Sequence, residues 1–207
     1  MKSPTRALCF AHTATTGLVS PWLPGGRRIW EIGLIRREFD GTERTSRGVI
    51  RRADVNMGYS PREQLKEALD AGRYHERHPE MAGLPMDEVY TGEQAAQIVA
   101  AVTQDTHLVA IDPGFHAKSF DHLLHTYGLW NRGNPPWHRH VVDVRTEIGG
   151  ALGLPLNRRT FRDLAAALDL DLTPYCLYQA LDYATLSRDL FDAAFARHGH
   201  DPLSATI

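Results

Sequence analysis

Apolar residues recur along this chain with two distinct spacings. Short apolar runs lie at Arg6–Ala11 and, with polar ends, at Arg28–Arg37, and Glu43–Arg51 follows the turn signal Asp40-Gly41. They predict three consecutive strands joined by turns, antiparallel in arrangement. Helical spacing follows. Ser60-Pro61-Arg62-Glu63 is a capping box with proline at the first helical position, opening a helix to about Ala71 that Gly72 stops. Thr91-Gly92-Glu93-Gln94 is a second capping box, before the apolar stretch of residues 95–102. His107–Ile111 reads as a short buried strand, and Ala117–Tyr127 as a helix ended by Gly128. A further strand is predicted at His138–Val144, with helices at Arg145–Leu152 and Phe161–Leu168. A last helix starts near Tyr178, with an apolar stripe through Leu177, Leu181, Ala184, Phe191, Ala194 and Phe195. Trp130–Pro136 reads as a loop, and Arg73–Gly83 as a loop or short helix near one rim. Strands first, then alternating helices and strands, predict an α/β protein whose central sheet is covered by helices.

Composition narrows this little. A chain of 207 residues fits one domain spanning 1–207, with a core that buries about 70% of the unfolded chain's surface. Apolar content of 43% and charged content of 23% are those of a soluble globular protein. A net charge of -2 gives no global attraction to nucleic acid. Arginine pairs recur at 27–28, 36–37, 51–52 and 158–159; they read as solvated surface, with a phosphate-contacting patch as the alternative. Cys9 and Cys176 offer neither a disulfide framework nor zinc spacing and read as reduced core residues. No stretch has the length of a signal peptide or a membrane span, so the expected location is cytoplasmic, with no membrane partner.

Chemistry enters with His12-Thr13-Ala14-Thr15-Thr16-Gly17-Leu18 at the end of the first strand. It has the outline of Asp-x-Glu-Thr-Thr-Gly-Leu. Further phrases follow in order: RIWEIGLI, YHERHPE, AIDPGFHAKSFDHLL, PPWHRHVVDV and LYQALDYATLSRDLF. Together they resemble the DEDDh (DnaQ-like) 3'-5' exonucleases, from Ala7 to about His198. The resemblance implies a ribonuclease H-like fold with a mixed sheet, three antiparallel strands and then parallel ones. It also implies hydrolysis of a strand's terminal phosphodiester, with four carboxylates holding two divalent metals and a histidine as general base. Hard cations want several oxygen ligands, and a base needs a pKa near the working pH.

Carried over position by position, the first-motif aspartate falls on His12 and the glutamate on Ala14. The second-motif aspartate falls on His116, after Phe115; the histidine falls on Tyr178 and the last aspartate on Tyr183. None of the five residue types is kept. The resemblance therefore implies an inactive exonuclease homologue, a binding or regulatory protein with no catalytic residues and no metal cofactor. Its expected partners are single-stranded nucleic-acid ends or another protein. Thr15, Thr16, Gly17, Leu18 and Phe115 match the segment that lines the terminal nucleotide. One alternative is an active nuclease with Mg²⁺ or Mn²⁺ on displaced ligands, Asp112 and Asp182. Another is a histidine-based or transition-metal activity at His12 and His116. Asp182 sits one residue from Tyr183, and a helix turns about 100° per residue, so it is expected to point away. Asp121 reads as an exposed helix residue.

Overall fold

The computed structural model describes residues 6–55 and 62–197. Three strands open the chain: β1 (Ala7–Thr15), β2 (Ile29–Arg37) and β3 (Glu43–Ile50). Short helices α1 (Arg52–Val55), α2 (Arg62–Ala71), α3 (Tyr74–Arg77) and α4 (Pro79–Ala82) lead to a two-residue strand β4 (Val89–Tyr90). Next come α5 (Gly92–Thr103), β5 (Thr106–Ala110), α6 (Pro113–Thr126), β6 (Val142–Asp143), α7 (Val144–Ala151), α8 (Phe161–Ala167) and the long α9 (Ala180–Arg197). The six strands form one sheet in the order β4-β3-β2-β1-β5-β6. β1–β2 and β2–β3 are antiparallel, while β1–β5, β5–β6 and β3–β4 are parallel. This is a mixed α/β architecture, with antiparallel strands at the start of the chain and parallel ones after, as the sequence predicts.

Alternation along β1 divides the core. Cys9 and Ala11, with Ile32 and Leu34, face one layer, where Ala95, Val99, Phe120 and Leu124 of α5 and α6 cover them. Leu8 and Phe10, with Ile35 and Val109, face the other, under Ile148, Leu164, Leu186, Leu190 and Phe191 of α7, α8 and α9. α9 lies close to β2 because position 33 is glycine. A Cβ there would stand 2.3 Å from the Leu181 backbone nitrogen, where no side chain fits.

Several boundaries differ from the sequence reading. β1 continues to Thr15, because Thr13–Ala14 stay paired with β2. The strand at 138–144 shrinks to two residues; the His138 N–H still donates to the Thr106 carbonyl, but the chain then leaves the ladder. α6 starts four residues early, at Pro113, since proline suits a first helical position. α9 starts at Ala180, leaving Leu177 and Tyr178 in the preceding turn. Arg73–Gly83 forms two one-turn helices, and α1 and β4 were not foreseen. The capping box at Thr91 is present in full. The one at Ser60-Pro61 and the tail histidines 198 and 200 lie outside the described residues. Among the described residues no helix is long and apolar enough to cross a membrane.

Two of the arginine pairs are not solvated. Arg27 is 5% exposed, and Arg37 is buried between Glu43 and Asp192, to which it donates at 2.8 and 2.6 Å. Both cysteines are free; Cys9 is fully buried, which pushes its thiol up to about 12 and makes it inert.

Candidate functional site

The C-terminal end of β1 opens into a cleft of about 570 Å³. His12 and Ala14 reach it from β1, His116 from the first turn of α6, Tyr178 from the turn before α9, and Tyr183 from α9 itself. Residues as far apart as 12 and 183 thus share one wall. Between Ala14 and Thr15 the pairing with β2 skips a residue, from Glu31 to Ile29, so the ladder is irregular where β1 reaches the cleft.

Three of these rings are in contact. Tyr183 lies flat on His12, with centroids 4.3 Å apart and planes 12° apart, and His12 also meets His116 at 4.3 Å, with the two rings tilted by 52°. The hydrogen bonds of His116 fix its protonation. The Thr13 backbone N–H, which can only donate, reaches Nδ1 at 3.1 Å, and the Thr13 hydroxyl reaches the same atom at 2.9 Å. Nδ1 is therefore an acceptor. The proton sits on Nε2 and is donated to the Ile111 carbonyl at 3.1 Å. Burial drives the His116 pKa down to about 3, with nearby Arg27 adding to the effect. Burial, then the proximity of His116, holds His12 well below the usual histidine range. Burial raises the phenol pKa of Tyr183. At neutral pH the stack is an uncharged aromatic plug.

This donor set does not fit a pair of divalent metals. Ala14 has no ligating atom, His116 has both ring nitrogens engaged within the protein, and positions 178 and 183 carry phenols in place of a base and a carboxylate. Among the described residues no cluster of three histidine, cysteine, aspartate or glutamate side chains could hold a metal ion. The three nearby aspartates each have a partner within the protein. Asp112 lines the cleft but pairs with Arg145. Asp182 accepts the Cys176 backbone N–H at 2.7 Å and does not line the cleft. Asp121 accepts the Gly133 N–H at 3.3 Å, tying down the 130–136 loop. For histidine-based proton transfer, His116 has both ring nitrogens bonded within the protein, and burial lowers the pKa of His12.

The opposite wall is the loop after β1. Thr15, Gly17, Leu18 and Phe115 line the cleft, and Leu18 is 83% exposed at its lip. A Cβ on Gly17 would meet nothing, so the cleft itself fills that space. Thr16 does not line the cleft, contrary to the sequence reading. It is fully buried, and its hydroxyl accepts the Arg28 backbone N–H at 2.9 Å, closing the loop's base.

Two arginines that sequence reasoning missed hold these walls. Arg27 donates to the Ser119 hydroxyl at 2.8 Å and to the carbonyls of Leu18, Val19 and Phe115 at 3.1, 3.2 and 2.9 Å. Its guanidinium also stacks 3.9 Å over the Phe115 ring. It staples the Gly17–Val19 loop to α6. Arg77 donates to the Gly72 carbonyl at 2.9 Å, to the Tyr178 carbonyl, and to Glu31 at 2.6 Å. It joins the end of α2 to the turn that carries Tyr178. Nothing in local sequence separates Arg27 from Arg28, or Arg77 from its neighbours; both act across the fold.

Solved structures place this architecture. The nuclease domain of 3'hExo, a DEDDh family member solved bound to rAMP, superposes with a TM-score of 0.65 at 13% identity, covering 96% of each chain. A 3'-exonuclease solved in 3'-end-specific recognition of a histone mRNA stem-loop gives 0.64 at 12% identity, over 96% of this chain and 66% of that one. E. coli Exonuclease I in complex with a 5cy-dT13 oligonucleotide gives 0.64 at 12%, over 93% of this chain and 41% of that one. At these identities the similarity shows the fold, an exonuclease-like one. No protein-family profile matches the sequence, and comparison with curated proteins gives no significant relative.

Proposed function

We propose that this chain is a catalytically inactive homologue of the DEDDh 3'-5' exonucleases that binds the 3' end of a single strand without cutting it. The observation that carries the reading is the Tyr183–His12–His116 stack. By the sequence resemblance it occupies the positions where an exonuclease presents carboxylates to its metals. Uncharged rings stand there instead, so neither metal binding nor general-base chemistry is supported. The same replacement favours metal-free binding. A cluster of carboxylates repels phosphate unless cations cover it; a neutral aromatic floor does not. The walls suit an unpaired end: Gly17 leaves room for a backbone, and Phe115, Tyr178 and the stack offer faces for bases. Of the structural neighbours, Exonuclease I was solved with a single-stranded oligonucleotide and the 3'-exonuclease with an RNA stem-loop. An end held but not hydrolysed makes the chain a protecting or regulatory factor.

The test is a fluorescence anisotropy titration of labelled single strands and blunt duplexes in EDTA. Single strands bind more tightly than duplexes, and the affinity falls with salt as counterions are released. No binding even at low salt overturns the reading and leaves a protein partner for this cleft.

A further inference from the structure

Asp112 is the sole carboxylate lining the cleft among the described residues. It stands at the N-cap of α6 with φ 61° and ψ 54°, yet its side chain does not cap that helix. It reaches instead to Arg145, in the first turn of α7 and also on the cleft wall. Among the described residues Asp112 is the one polar partner of the Arg145 guanidinium, which keeps donors in hand. Both side chains are partly open to solvent, so the pair is easily exchanged. Behind Phe115 lies Arg27, 5% exposed, bonded to carbonyls and a hydroxyl and to no carboxylate. His12 and His116 are neutral and Arg145 is paired with Asp112, so the positive charge without a carboxylate partner is that of Arg27, behind the cleft wall.

Resting on the strand-end reading above, we infer that Arg145 is the recognition residue for a phosphate monoester at the 3' terminus of the bound strand. Asp112 holds its place until the strand arrives. A phosphodiester carries one negative charge, whereas a terminal monoester carries about 1.5 to 2 and offers three acceptor oxygens. Such a group takes an arginine fork bidentately and competes with a half-exposed carboxylate. The chemistry that would turn a 3' phosphate away, several carboxylates around the terminal nucleotide, is not in this cleft. This chain therefore selects 3'-phosphorylated ends, the products of strand scission that leaves phosphate on the 3' side.

The experiment uses one oligonucleotide sequence in three forms: 3'-hydroxyl, 3'-phosphate, and 5'-phosphate with a 3'-hydroxyl. Each is titrated in EDTA against the wild-type chain, Arg145→Gln and Asp112→Asn. Asparagine tolerates the left-handed backbone at 112, so that variant keeps its fold. The wild type binds the 3'-phosphate form about tenfold more tightly than either other form, the size of one charge-assisted hydrogen bond. Arg145→Gln removes the preference, so the 3'-phosphate strand loses the tenfold advantage it has over the 3'-hydroxyl strand measured on the same variant. Asp112→Asn tightens 3'-phosphate binding severalfold. Binding of all three strands with equal affinity, a preference for the 5'-phosphate, or a preference that survives Arg145→Gln overturns this inference and leaves the strand-end reading standing. Failure of every strand to bind overturns both.

Discussion

Replacing Arg27 with methionine removes the staple of the cleft wall while keeping most of its volume. The cost follows from its contacts. Four acceptors lose a charged donor, each such bond contributing about 1.5–3 kcal/mol against water in favourable cases. The stacking over Phe115 adds about 1 kcal/mol. Three effects offset this. Burying the guanidinium already costs the fold, and burial brings its pKa down to about 10. The Leu18 and Val19 carbonyls lie near the surface and can turn to water, and the Phe115 carbonyl keeps the Ser119 hydroxyl at 2.9 Å. The net loss is about 3 kcal/mol. For a chain of this length each kcal/mol is about 2–4 °C in Tm, so the variant melts about 6–12 °C lower. Arg27→Lys does not rescue it, because one ammonium cannot reach three carbonyls and a hydroxyl on two elements. Urea denaturation and thermal melting of Arg27→Met, with exposed Arg52→Met as control, measure this. A loss below 1 kcal/mol at Arg27, or an equal loss at Arg52, would refute the staple.

Folded-state histidine burial sets a pH slope. His116 falls to about 3, and His12 shifts the same way, so between pH 3 and 6.5 the unfolded chain binds protons that the folded chain does not. Stability is therefore full above pH 6.5 and is lost as pH falls, by up to about 1.4 kcal/mol per unit for each histidine; urea titrations at pH 5, 6 and 7.5 that superimpose would contradict it. Restoring carboxylates and base together, as His12→Asp, Ala14→Glu, His116→Asp, Tyr178→His and Tyr183→Asp, lowers Tm in EDTA by charge repulsion. Mg²⁺ then raises it, whereas wild-type Tm is the same in Mg²⁺ and EDTA; a Mg²⁺ shift in the wild type points to other ligands.

Much of the fold was legible because its elements announce themselves locally. The apolar runs of β1, β2 and β5 and the Thr91 box are decided by their own residues. The short strand β6 was overestimated because an apolar run cannot reveal where pairing stops; the departure at 140 depends on neighbours in space. The five positions that the resemblance singled out line one cleft. Its physical character was not legible. That His116 is a locked neutral tautomer depends on Thr13 and Ile111, and that Thr16 turns inward depends on Arg28. Arg27, Arg77 and the Asp112–Arg145 pair join residues 33 to 101 positions apart or cross several elements, and no local pattern encodes them.

The central claim is that a strand end is held at an uncharged site that does not cut. The most direct measurement incubates a single strand labelled at its 5' end with the purified chain in millimolar Mg²⁺ or Mn²⁺, and resolves the products on a denaturing gel. The account predicts full-length strand at every time point, with the same strand bound in a parallel EDTA titration. A ladder shortening from the 3' end, growing with enzyme concentration and abolished by EDTA, would contradict it.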